Sequence, residues 1–186
     1  AGNGVYKSSD AGANWTKVST SAMDALIVNN TSNLEMSAGR NNEVYAAIIN
    51  RGVLVGLFRS PDNGLTWASM DLPQTNETGG NVGLNPGGGK GPTSGPPEFI
   101  AGGQGDIHFS MVADPNNANI VYVGGDRQPR GFNDAGSFPN AIGANDFSGR
   151  LFRGDASKAS GSQFVHLTHR NNLGAAGGGS GPGGLR

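Results

Sequence analysis

Two aspartates, Asp10 and Asp62, hold the same position in two copies of one sequence pattern. The pattern is Ser-x-Asp-x-Gly-x-x-Trp, and its members are Ser8, Asp10, Gly12 and Trp15 in the first copy and Ser60, Asp62, Gly64 and Trp67 in the second. A carboxylate can act as a general acid or base. An Asp in a glycine-containing turn can instead accept hydrogen bonds from the turn's own N–H groups, which makes it a poor base. We therefore expect Asp10 and Asp62 to build turns, with each Trp lying back across the base of its turn.

Metal-binding and nucleophilic residue types are sparse. The chain has no Cys, which removes disulfides, thiolate metal sites and a Cys nucleophile together. His166 and His169 are three residues apart, so in a strand their side chains would point to opposite faces, and His108 is remote in sequence. We expect neither a metal nor a cofactor.

Composition and charge narrow the function classes. The formal net charge of −1 offers no electrostatic footprint for nucleic acid. No run approaches the roughly 18 to 20 apolar residues of a membrane span. Gly 33 and Pro 10, with only 15% charged residues, indicate many tight turns between short elements. The sequence thus predicts an all-β protein with no nucleic-acid partner and no membrane span.

Short β-favouring runs place the repeated pattern on hairpin turns. The predicted strands lie in residues 4–8, 15–20, 34–38, 43–49, 52–60, 108–113, 119–123 and 149–155. Four strands fall between residues 34 and 72, of which the fourth is the return strand that carries Trp67, and the same order returns after residue 106. In that later unit the turn is altered, and Phe164 takes the place of the Trp on the strand that follows the turn. Residues 21–33 are expected to form a polar link.

The runs also divide the chain into segments. These are a half unit at 1–32, a complete unit at 33–72, a Gly/Pro-rich insertion at 73–105, a unit at 106–170 with a long insertion at 126–148, and a flexible Gly-rich tail at 171–186. Loops of this length in a compact repeat are usually functional or disordered.

The repeated pattern resembles the Asp-box of sialidases and related β-propellers, also called the bacterial neuraminidase repeat. Each copy follows Gly-(Val/Leu)-(Tyr/Phe)-(Lys/Arg), at residues 4–7 and 56–59. Residues 114–125 are similar to the Asp-Pro-x-Asn-Pro-x-x-Val-Tyr run of exported bacterial propellers. The resemblance implies four-stranded antiparallel blades, with the box on the turn between the third and fourth strands. It also implies a bacterial-like secreted protein, extracellular or periplasmic.

By this resemblance the chain holds about two and a half blades. Such a set cannot close a ring, since propellers need about four blades or more, and unclosed blades leave edges that invite pairing. The chain also begins without Met. We expect a piece of a larger propeller, or a ring completed by another chain or further copies.

The order of strands in a blade puts the boxes at one end and both long insertions at the other. We therefore expect any function on the face formed by residues 73–105 and 126–148, because loops on a rigid scaffold usually carry it.

Two enzyme families with this repeat supply candidate site residues. Sialidases bind the substrate carboxylate with an arginine cluster, for which Arg127, Arg130 and Arg150 are candidates, although the usual Arg-Ile-Pro signal is absent. Xyloglucan-cleaving propellers place an Asp before Gly-Gly-x-Tyr-Arg. Residues 146–153 resemble that run with one extra residue and without the paired glycines.

The second resemblance makes Asp146 the catalytic candidate, as one half of a carboxylate pair. The residues left open as its partner are Glu98, Asp106, Asp126 and Asp134. Phe132, Phe138 and Phe147 could present flat faces to sugar rings, or could equally pin the loop to the body.

No complete catalytic set is visible. The sequence therefore favours a structural, glycan-binding or protein-binding propeller segment. The alternative is part of a sialidase-like or xyloglucanase-like glycoside hydrolase with its site on the insertion face.

Overall fold

The protein is described here from a computed structural model, which covers residues 2–28, 32–77, 80–84, 104–128 and 149–168. In these ranges the chain is mostly β. The elements are β1 (Tyr6–Lys7), β2 (Thr16–Lys17), α1 (Ser21–Asp24), β3 (Ser32–Ala38), β4 (Val44–Asn50), β5 (Val53–Ser60), β6 (Ala68–Ser69), β7 (Gln74–Glu77), β8 (Gly80–Gly83), α2 (Gly105–His108), β9 (Ser110–Ala113), β10 (Ile120–Arg127), β11 (Gly149–Asp155) and β12 (Phe164–His166).

Every strand pairs antiparallel with a neighbour in sequence. Strands β1 and β2 form an N-terminal ribbon, β3 to β6 form a central sheet in chain order, β7 and β8 form a hairpin, and β9 to β12 form a C-terminal sheet in chain order. The predicted four-stranded antiparallel sheets are thus confirmed.

The central sheet is the middle layer because its second strand is buried on both faces. Residues 45–49 of β4 are a continuous apolar run with no exposed surface, which is typical of a strand enclosed by two layers. On one face, Ala46 and Phe58 pack against Val5 of the ribbon and Met23 of α1. Fully burying a Val, Phe or Met side chain contributes about 1.5 to 3 kcal/mol relative to leaving it exposed.

The other face of the central sheet packs on the C-terminal sheet. Tyr45 and Leu57 meet Val121, Val123 and Phe152 in one buried cluster. The sheets therefore stack in the order ribbon, central sheet, C-terminal sheet.

Hydrogen bonds join neighbouring turns and connections at each of the two ends of this stack. At one end the Asn63 N–H donates to the Asn42 carbonyl across 2.6 Å, so the second repeated turn touches the β3–β4 turn. At the other end the Gly105 N–H donates to the Gly52 carbonyl across 2.8 Å. The connection into the C-terminal sheet therefore meets the β4–β5 turn at the end away from the repeated turns.

Two helices lie where the sequence predicted a link and a strand. Residues 21–24 form α1 because the Thr20 side chain accepts the Met23 N–H and caps the first turn, while Met23 is fully buried. Likewise α2 occupies His108, so β9 begins at Ser110 rather than at residue 108.

The predicted insertion at 73–105 contains regular structure in its first part. In the β7–β8 hairpin, Thr75 pairs with Val82, and both side chains are buried. Their neighbours Gln74, Asn76 and Asn81 are exposed. This alternation of polar and β-branched residues has the period of a half-buried strand.

Candidate functional site

The second repeated turn is closed by its own side chains. The Ser60 hydroxyl donates to Asp62 Oδ1 across 2.8 Å and accepts the Gly64 N–H at 2.7 Å. Asp62 then accepts the Thr66 N–H at 2.8 Å and the Thr66 hydroxyl at 2.6 Å. Gly64 has a φ of 84°, a left-handed conformation that favours glycine.

The Ser and Asp side chains of the first repeated turn make the same contacts. The Ser8 hydroxyl donates to Asp10 across 2.9 Å and accepts the Gly12 N–H at 2.8 Å. Asn14 replaces the threonine, and donates its N–H and its side-chain amide to Asp10 at 2.8 and 2.6 Å. The Trp15 indole N–H reaches back to the Gly12 carbonyl at 3.0 Å. Both turns are therefore held by contacts within eight residues of sequence.

These hydrogen bonds set the ionisation of the two aspartates. The Thr66 hydroxyl, followed by its N–H, lowers the pKa of Asp62 to about 2. The side chain and N–H of Asn14 likewise lower the pKa of Asp10. Carboxylates whose lone pairs are already used in this way hold protons weakly, so the geometry fits a structural role in the turn.

The turn between β11 and β12 is closed from the neighbouring sheet. The Asp71 carboxylate, just beyond β6, accepts from the Ser160 hydroxyl at 2.8 Å and from the N–H groups of Gly161 and Gln163 at 2.6 and 3.1 Å. Gln163 returns the contact by accepting the Asp71 N–H at 2.8 Å. Burial opposes ionisation of Asp71, but the hydrogen bonds from Ser160, Gln163 and Gly161 outweigh it and lower its pKa.

A cleft of about 530 Å³ opens beside this contact. Its lining residues are Asp71, Leu72, Gln74, Asn76, Asn81, Gly161 and Phe164. Asn76 and Asn81 are directly opposite each other in the β7–β8 register, and Gln74 lies two residues before Asn76 on the same face. The cleft thus presents three exposed amide groups next to a half-buried aromatic ring.

Each amide in this row can both donate and accept hydrogen bonds, as a sugar hydroxyl can. Among the described residues the lining contains no Lys or Arg, so these residues offer no cation to an anionic ligand. Its one carboxylate, Asp71, is already engaged by three donors. The arrangement is suited to binding a neutral polar ligand, and the lining residues that the structure describes do not include the carboxylate pair of glycoside hydrolysis.

A buried arginine supports the hairpin from below. Arg150 on β11 is fully buried, and its guanidinium donates to Thr75 Oγ1 at 3.0 Å and to the Val82 carbonyl at 3.1 Å. It also donates to Gln128 Oε1 at 3.3 Å. Because Thr75 and Val82 are the inward residues of the hairpin, these contacts fix the position of its outward amides.

The structure describes the side chain of one of the three arginines predicted to form a cluster. Arg150 lies beneath the surface with its guanidinium directed to protein acceptors, which does not fit a substrate-carboxylate site. The side chain of Arg127 and all of Arg130 lie outside the described residues.

Most of the other predicted site residues also lie outside the described residues. These are Asp146, Phe132, Phe138, Phe147, Glu98, Asp134, His169 and the side chain of Asp126. Asp106 lies on α2, is exposed, and accepts from the Asn33 side chain at 3.1 Å. His166 is buried on β12. Within the described ranges, no group of three or more His, Asp or Glu side chains is arranged to hold a metal ion.

Sequence reasoning missed the residues that form the cleft. The signal was present in Gln74-Thr75-Asn76 and Asn81-Val82, where amide residues alternate with β-branched ones. The high Gly, Pro and Asn content of the surrounding insertion concealed it.

Comparison of the chain with protein-family models, curated proteins and solved structures finds no match. In the part of the chain that the structure describes, no helix has the length and hydropathy needed to cross a membrane.

Proposed function

We propose that this chain is a non-catalytic segment of a secreted Asp-box β-propeller that binds neutral glycans in the cleft between the β7–β8 hairpin and the β11–β12 turn. The observation that carries the proposal is the row of exposed amides, Gln74, Asn76 and Asn81, beside the Phe164 ring. A neutral glycan requires hydrogen-bonding groups for its hydroxyls, which planar amides supply. It also requires an aromatic surface for the apolar side of a sugar ring.

The propeller part of the proposal is supported by the stack of layers. Two four-stranded antiparallel sheets follow each other along the chain in the same strand order and pack face to face. The repeated turn joins the third and fourth strands of the central sheet and the two strands of the ribbon. In this reading the ribbon is the outer half of a blade.

The cleft also favours one class of glycan over another. A sialoside or uronic acid carries a carboxylate, and the lining residues in the described ranges include no cation to receive it. Asp71 adds negative charge at the rim. Neutral oligosaccharides are therefore the preferred ligands.

A glycan array with neutral plant oligosaccharides, including xyloglucan fragments, and sialosides tests this proposal. We expect binding to neutral members only, without release of reducing ends or sialic acid. The best array ligand is then titrated calorimetrically against Asn76→Ala/Asn81→Ala, which should lose at least about tenfold in affinity, since each buried hydrogen bond to a ligand is worth about 0.5 to 1.5 kcal/mol.

The matched control is Asn116→Ala, which removes an exposed amide in the β9–β10 turn that is not among the residues lining the cleft. It should bind as the unmodified chain does. Binding that is unchanged in the double variant, or an array on which no glycan is retained, would rule out the cleft as a glycan site.

A further inference from the structure

The two four-stranded sheets carry the same pair of residues at the same place. Tyr45 on β4 pairs with Arg59 on β5, and Tyr122 on β10 pairs with Arg153 on β11. Both tyrosines follow a valine, at Val44 and Val121. We call the side of each sheet that bears this pair its Tyr/Arg face.

In the central sheet the Tyr/Arg face is covered. Tyr45, Ala47 and Leu57 are at most 1% exposed beneath the C-terminal sheet. The Tyr45 hydroxyl and Arg59 Nε both donate to the carbonyl oxygen of Ala118, in the β9–β10 turn, at 3.0 and 3.1 Å. The pair therefore serves as a clamp on the backbone of the next layer.

In the C-terminal sheet the same face is open within the described residues. Val112 and Val165, which pair with Tyr122 and Arg153, are 55% and 54% exposed. The Tyr122 hydroxyl is 3.5 Å from Asp114 Oδ2, and Arg153 Nη1 is 3.8 Å from Asp155 Oδ2. Both contacts are longer than those of the Tyr45 and Arg59 clamp.

On the side of each layer opposite the Tyr/Arg face, an equivalent aromatic residue is less buried in each layer from the C-terminal sheet to the ribbon. Phe58 in the central sheet is 5% exposed against the ribbon, and Phe152 in the C-terminal sheet is fully buried against the central sheet. The equivalent ribbon residue is Tyr6, since Gly-Val-Tyr-Lys aligns with Gly-Leu-Phe-Arg. Tyr6 is only half-buried, and Trp15 is 63% exposed where its counterpart Trp67 packs against the core.

One chain therefore carries both members of a complementary pair of faces, and each is open as far as the described residues extend. We propose that the Tyr/Arg face of the C-terminal sheet docks a second copy of this chain, which seats the Tyr6 and Trp15 side of its ribbon there. The proposal rests on the stacked-blade architecture of the proposed function. Contacts of this head-to-tail kind leave one face free on each copy, and they close into rings or extend into filaments.

The full chain tests this proposal by sedimentation velocity over a range of about 1 to 200 µM, chosen to span the affinities of transient interfaces. We expect a mass that rises with concentration above that of the 18.9 kDa monomer. Val165→Lys, which places a charge on the Tyr/Arg face, should reduce the association at least about tenfold, because burying an unpaired charge is costly. Trp15→Lys should do the same from the ribbon side. Ile107→Lys is the matched control, because Ile107 is 78% exposed on α2.

Mixing the two defective variants gives the sharpest result. Each keeps one intact face, so an equimolar mixture should form a one-to-one complex and nothing larger. Near-UV circular dichroism checks that both variants are folded, and Tyr6→Lys replaces Trp15→Lys if the first repeated turn loosens.

A monomer at every concentration would overturn the docking proposal, including the case in which the chain's own residues cover the face. Association unaffected by Val165→Lys, or a mixture that fails to pair, would also overturn it. Glycan binding by the cleft is measured separately and can succeed or fail with a monomer, so the two proposals are distinguished.

Discussion

Arg150 and Thr75 meet in a 3.0 Å hydrogen bond between the guanidinium on β11 and the hydroxyl on β7. The bond lies in a fully buried setting, and the same Nη2 group also donates to the Val82 carbonyl at 3.1 Å. The C-terminal sheet thereby holds the hairpin that presents the amides of the cleft. The binding proposed for the cleft would therefore depend on Arg150, which is buried and is not among the residues that line the cleft.

Replacing Arg150 with Met should loosen the hairpin. Thr75 Oγ1 and the Val82 carbonyl would each lose a buried hydrogen bond from the guanidinium, and a hydrogen bond to a charged group contributes about 1.5 to 3 kcal/mol. We expect the urea midpoint to fall accordingly and the affinity for the array ligand to fall with it. The matched control is Arg40→Met at an exposed turn position, which should leave both quantities near those of the unmodified chain. Equal midpoints for the two variants would show that Arg150 does not stabilise the hairpin.

The repeated turns could be predicted from sequence because all of their hydrogen bonds are local. Ser60, Asp62 and Thr66 are within seven residues of one another, so residue types and spacing specify the contacts. Arg150 follows the predicted insertion at 126–148, and its partners Thr75 and Val82 precede it by 75 and 68 residues. Nothing in the local sequence indicates that pairing, so the sequence offers Arg150 only as a member of a candidate arginine cluster.

Asp62 should make stability depend on pH in the acid range. Its folded-state pKa of about 2 is below the ordinary aspartate value of about 3.9, so its stabilising effect is complete above the ordinary value. The effect is lost as pH falls from about 4 toward 2. We expect Asp62→Asn to lower the thermal midpoint at pH 6, and the difference from the unmodified chain to shrink as pH falls through that window.

Thr66→Val provides the matched comparison for Asp62. It removes the hydroxyl donor to Asp62 but keeps the backbone N–H that donates at 2.8 Å. It should therefore show a smaller difference at pH 6 and the same trend with pH. Midpoint differences that stay constant from pH 6 to pH 2 would contradict the role assigned to the Asp62 carboxylate.

Glu43 is a buried carboxylate that should be replaceable with a gain in stability. It is 1% exposed, and neither of its carboxylate oxygens has a hydrogen-bond partner among the described residues. The corresponding position in the C-terminal sheet, before Val121, is Ile120, which is 2% exposed. We expect Glu43→Ile to raise the free energy of unfolding by about 1 to 3 kcal/mol, because a polar group is removed from a site without partners.

Urea unfolding of Glu43→Ile beside Glu35→Ile checks this expectation. Glu35 is exposed on β3, so the same substitution there removes no burial penalty and should not stabilise the chain. A loss of stability in Glu43→Ile would indicate that the carboxylate has a favourable role in the folded protein.

Gly154 connects the core of the C-terminal sheet to the cleft through Phe164. Gly154 pairs with Val121 on one side and with Phe164 on the other. A Cβ atom added at Gly154 would lie 2.6 Å from Phe164 Cε1 and 2.9 Å from Val121 Cγ1, closer than side chains tolerate. Gly154→Ala should therefore displace the Phe164 ring and cost about 1 to 3 kcal/mol by overpacking.

In Gly83→Ala, where an added Cβ meets nothing within 4 Å, the urea midpoint should be unchanged or slightly higher. Since Phe164 lines the cleft, Gly154→Ala should also weaken glycan binding, whereas retained affinity with reduced stability would place the ring outside the ligand's contacts.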